Sequence, residues 1–92
     1  MNLGLVQLLR GDDVAAETTL GTVLRDASRS HRLVYGGAAA LGLAVIRGRA
    51  GDVEGWTSHR RTAEELLGGT GFDEPDLRVL ARLAEEEPRR GR

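Results

Sequence analysis

The chain has 92 residues, a formal net charge of -1 and no cysteine, so it has room for one small core and excludes disulfides and thiolate metal sites. All 13 basic residues are arginine, yet they are balanced by 14 acidic ones. A phosphate-binding domain carries a clear basic excess, so composition argues against a nucleic-acid partner.

Only Tyr35, Trp56 and Phe72 are aromatic, which leaves Leu, Val and Ala to build the core. The N-terminus lacks the basic flank and small-residue cleavage site of a signal peptide. The apolar run from Leu33 to Ile46 covers 14 residues, short of the roughly 20 that span a bilayer. The expectation is a soluble, cytoplasmic protein without a membrane partner.

Helical spacing and punctuation predict five segments and no strand. Leu3, Leu5, Val6, Leu8 and Leu9 make a short first helix that stops at Gly11. Asp13 is placed to cap a second helix, with Val14, Ala16, Leu20, Val23, Leu24 and Ala27 inward and Ser28 to Ser30 as its break. A third helix from about His31 to Arg49 is apolar almost all round, which predicts burial on several sides. Asp52 caps a fourth helix carrying Val53, Trp56, Ala63, Leu66 and Leu67, ended by the glycines of 68–71. Asp73 caps a last helix with Pro75 in its first turn and with Leu77, Leu80, Leu83 and Ala84 inward; residues 88–92 read as a disordered tail. The predicted fold is all-α, about five helices in antiparallel hairpins: a first hairpin over 1–30, a second over 31–67 and a capping helix over 73–87.

One phrase occurs twice. An apolar helix end is followed by glycine, aspartate and valine, with Asp13-Val14 and Asp52-Val53 39 positions apart. Each copy predicts the corner of an antiparallel helix pair. Leu3-Gly4, Gln7, Gly11-Asp12-Asp13, Ala16, Leu20 and Val23 fall on a spacing that resembles a tetratricopeptide-type repeat. Leu41-Gly42, Val45 and Gly51-Asp52-Val53 form a looser second copy, with Trp56 where that family has a small residue. The spacing exceeds the usual period of about 34, as in the stretched, Ala/Leu/Arg-rich helical sensor regions of large bacterial transcriptional regulators. The resemblance covers about residues 1–67 and implies a short solenoid; a plain five-helix bundle accounts for the same letters. Carrying the family's groove positions over implies a partner-binding set of Leu5, Leu8, Ala39, Leu43, Ile46 and Arg47, with Met1 beside them.

Residues 62–83 resemble the helix-turn-helix of winged-helix dimerisation modules, with Thr62 and Glu65 as a capping box, Leu66, Phe72, Leu77 and Leu80 inside, and Gly71 at the turn. The recognition helix would begin with Asp73, Glu74 and Asp76, acids that phosphates repel. This resemblance implies dimerisation rather than DNA reading.

Catalytic and metal constellations are sparse. His31 and His59 have no second ligand at helical spacing and read as solvated surface or helix-end residues. Ser58 and His59 are sequence neighbours, which do not face each other on a helix. Arg10-Gly11-Asp12 reads as helix punctuation, and the glycines of 68–71 follow no strand and precede no lysine. No enzyme activity and no cofactor is expected. Gly4, Gly21, Gly36, Gly37, Gly42 and Gly55 fall inside predicted helices, each costing about 0.5 to 1 kcal/mol against Ala. A chain weakened in this way is expected to gain from a protein partner, from self-association or from neighbouring repeats. The function these readings imply is a non-catalytic, regulatory protein–protein interaction module, the alternative being a dimerisation module built on residues 62–84.

Overall fold

Two turns organise the chain. Gly11 and Gly51 hold the left-handed conformation, with φ of 79° and 78°, a region that glycine occupies without steric cost. The Asp12 amide then donates to the Gln7 carbonyl at 2.9 Å and the Gly11 amide to Leu8 at 3.1 Å; Asp52 donates to Arg47 at 2.8 Å and Gly51 to Gly48 at 3.1 Å. Each pair is the crossed hydrogen bond that satisfies the last carbonyls of a helix. The same aspartate opens the next helix: the Asp52 carboxylate accepts from the Gly55 amide at 2.9 Å, and the Asp12 carboxylate from Ala15 at a longer 3.4 Å. A helix therefore stops, reverses and restarts across three residues, Arg10 to Asp12 at the first corner and Ala50 to Asp52 at the second.

These corners correct two expectations. Asp12, not Asp13, caps the second helix, because the residue that directly follows the left-handed glycine is the one whose carboxylate meets the new helix's free amides. The spacing of the two corners is accordingly 40, from Gly11 to Gly51, rather than the 39 of the Asp-Val pairs.

The computed structural model describes residues 2–30, 33–68 and 75–86. They form α1 (Asn2–Leu9), α2 (Asp13–Ser30), α3 (Leu33–Arg49), α4 (Val53–Leu67) and α5 (Pro75–Glu86), with no strand among the described residues. The all-α reading holds, as does the stop after α4, where Gly68 is left-handed and its amide bonds Glu64. Two local readings do not hold. Residues 28–30 continue α2 instead of breaking it. Thr62 is no cap, since it lies inside α4 and its hydroxyl donates to the Ser58 carbonyl. Asp73, Phe72, the glycines beyond Gly68, His31 and the tail lie outside the described residues.

α3 is the central helix and touches all four others. Small residues make this possible. A Cβ on Gly4 would meet Leu20 at 2.7 Å and one on Gly42 would meet it at 2.6 Å, so the fully buried Leu20 is seated in a notch cut from both α1 and α3. A Cβ on Gly37 would lie 2.4 Å from Leu67, which seats α4 on the opposite flank of α3. Leu8, Leu20, Val45, Leu67, Leu77 and Leu80 are the large, fully buried side chains, with Ala16, Ala39, Ala40 and Ala44 filling the crossings. The core thus combines aliphatic knobs with small-residue holes, close-packed in the manner of ordinary protein interiors.

Candidate interaction surface

The C-terminal end of α3 fastens the two hairpins together. Arg49 donates to the Leu8 carbonyl at 3.0 Å and to the Asp13 carboxylate at 2.8 Å, and Arg47 pairs with Glu17. One arginine thereby gives a second hydrogen bond to a carbonyl at the end of α1, beside that from Gly11, and pairs with a carboxylate in the first turn of α2. The consequence is geometric, because contacts from α3's last turn to the first corner place the Gly11 and Gly51 corners on the same edge of the molecule.

The far flank is fixed by Trp56. Its indole Nε1 donates to the Ala84 carbonyl at 2.8 Å, and its ring lies 4.7 Å beneath the Arg60 guanidinium. Trp56 follows Asp52 by one turn, so this bond brings the C-terminal end of α5 to the corner edge as well. α1, α3 and α5 run in one direction, with α2 and α4 returning.

In this arrangement the six residues predicted to contact a partner are mostly interior. Leu8 and Ala39 are fully buried, and Leu5, Leu43 and Ile46 are buried too. The physical reason is that α1, α2, α4 and α5 all pack on α3, so positions of α3 that would line a groove in an open array are covered, and Leu5 and Leu8 lie on the face of α1 turned into the same core. Arg47 alone is half-exposed, and it is engaged by Glu17 while its stem packs where a side chain on Gly55 would stand.

The apolar surface lies elsewhere. Leu3 is 61% exposed, Val6 41% and Leu9 58%, and Val14 beyond the corner is 82% exposed. The sequence carried a signal for this: five large apolar residues in an eight-residue helix are more than one buried face accommodates. Leu5 and Leu8 take the inner face, and Leu3, Val6 and Leu9 are left outside. On α5, Arg78, Val79, Arg82 and Leu83 line an open depression of about 410 Å³.

His59 departs from its expected surface setting. It is half-buried on α4, and burial first, then the neighbouring Arg47 charge, hold its pKa below the ordinary histidine value, with Asp52 opposing the shift. Among the described residues no group of three or more His, Cys, Asp or Glu side chains is arranged to hold a metal ion, and no helix is long and apolar enough to cross a membrane. No protein-family model, no curated protein and no solved structure matches the chain.

Proposed function

We propose that this chain is a non-catalytic helical-repeat module for protein–protein interaction, regulatory in role and cytoplasmic. The observation that carries the reading is the outer face of α1, where Leu3, Val6 and Leu9 stand exposed together. Large apolar side chains grouped on one helix face mark an interaction site more often than scattered ones do. The two hairpins with equivalent Gly-Asp corners along one edge support the repeat-like part of the reading. The binding surface moves outward from the predicted set, from Leu5 and Leu8 to Leu3, Val6 and Leu9, and recognition is of an apolar helix flank.

A photo-reactive benzophenone side chain replacing Val6 tests this in cells that express the chain. Adducts with protein are expected from position 6, absent from the exposed α4 position 61, and lost when Leu3→Glu is added in a chain that keeps its helicity. Equal labelling from positions 6 and 61 would overturn the proposal.

A further inference from the structure

We propose that the occupant of the α1 face is the α5 flank of a second copy of this chain, so that copies stack head to tail with their corners along one edge. This rests on the interaction-module reading and names its partner. α1 packs on the α2 side of α3, whereas α5 packs on α3 and is bonded to α4 through Trp56. Leu3, Val6 and Leu9 stand on the side of α1 turned away from the buried Leu5 and Leu8, and Val79 stands on the side of α5 turned away from the buried Leu77, Leu80 and Ala84, so each helix presents an outward face.

The chain already covers a face of this kind once. Forty residues on from Leu3 and Val6, at the spacing of the two corners, stand Leu43 and Ile46, which are each only 6% exposed. Neighbouring helices bury those counterparts within the chain, whereas Leu3 and Val6 face outward.

The α5 flank matches in chemistry and in height. Val79 is 42% exposed beside the half-buried Leu83, and Arg82 is exposed next to them. With a rise of about 1.5 Å per residue, Val79 and Arg82 lie within two turns of Ala84 at the corner edge, as Val6 and Leu9 lie just before the exposed Asp12. Apolar side chains meet apolar ones, and the Arg82 guanidinium comes level with the Asp12 carboxylate. That is the pairing that Arg49 and Asp13 make inside the chain. A contact of α1 with α1 would leave Arg82 without a role. The contact is heterologous, so it propagates instead of closing at a dimer.

Sedimentation velocity of the full chain over a range of concentrations tests this. The expected result is a mass that rises past the dimer with concentration and falls with added salt. Leu3→Glu and Val79→Glu should each give monomers of unchanged helicity, and their equimolar mixture should stop at a dimer, because one intact α5 flank then meets one intact α1 face. Arg82→Glu, which removes no apolar side chain from either face, keeps the test open should either of those variants fail to fold; it is expected to weaken self-association roughly tenfold. A chain that stays monomeric throughout overturns the proposal, as does association abolished by Leu3→Glu but indifferent to Val79→Glu. If position 6 nevertheless cross-links to a different protein, stacking has failed and the interaction-module reading has not.

Discussion

Arg49 and Leu8 are 41 residues apart in sequence and joined by a 3.0 Å hydrogen bond from guanidinium to backbone carbonyl. That contact ties the end of the central helix to the end of the first, and with the 2.8 Å bond to Asp13 it sets how the two hairpins lie together. Arg49→Ala should lower the unfolding free energy by about 1 to 2 kcal/mol, because the Asp13 carboxylate loses its partner and the Leu8 carbonyl keeps only its bond from the Gly11 amide. A double-mutant cycle with Asp13→Asn, read from urea midpoints, should show a coupling of about 0.5 to 1 kcal/mol, in keeping with a partly exposed pair.

The glycines divide into two kinds. No atom lies within 4 Å of the position a Cβ would take on Gly21, whereas on Gly37 it would fall 2.4 Å from Leu67. Gly21→Ala should therefore stabilise the chain by about 0.5 to 1 kcal/mol through helix propensity. Gly37→Ala should destabilise it by about 1 to 3 kcal/mol through overpacking. Thermal or urea unfolding followed by circular dichroism reads both, and the same sign for the two would contradict the packing described for α3 and α4.

Composition and punctuation made the helices legible. Glycine followed by aspartate marks both corners, Asp52 caps α4, and Pro75 opens α5. What sequence could not supply was which faces meet. An all-apolar α3 says only that it is buried, and Leu5 and Leu3 look alike until α2 and α3 are seen to cover one and leave the other. The notches at Gly4 and Gly42 receive Leu20 from a helix between them in sequence, and nothing local to any of the three announces it. The Arg49 bond to a backbone carbonyl leaves no trace in side-chain pattern at all. His59 was misread for the same reason, since its burial is set by α4 packing beside Arg47 and not by its arginine-flanked surroundings in sequence.

The Trp56 bond should be separable from its packing. Trp56→Phe retains an aromatic ring but gives up the Nε1–H that the Ala84 carbonyl accepts, at a cost of about 0.5 to 1.5 kcal/mol. Amide hydrogen exchange should show faster opening at the end of α5 than in α2. Equal effects on both helices would mean that Trp56 does not tether α5.

His59 makes stability depend on pH in a definite direction. Its folded pKa lies below the ordinary 6.5, so the unfolded chain binds the proton more readily and stability rises with pH through this window. The contribution is fully present above pH 6.5 and is lost as pH falls from there towards the lower folded value. Urea midpoints between pH 7.5 and 5 should decline, and His59→Gln should flatten that decline without altering the slope produced by carboxylates at lower pH. A midpoint that rose on acidification through this range would be incompatible with the burial of His59 beside Arg47.

The central claim is that both corners lie on one edge, which leaves α1 with an outward apolar face. Because the chain has no cysteine, Arg10→Cys and Ala50→Cys, both at exposed corner positions, accept a nitroxide pair without background labelling, and pulsed electron resonance gives the distance between them. Backbones separated by about one interhelix spacing, roughly 10 Å before the label arms are added, are the expected result. A separation extended by the length of α3, about 25 Å for its 17 residues, would put the corners at opposite ends and contradict the account.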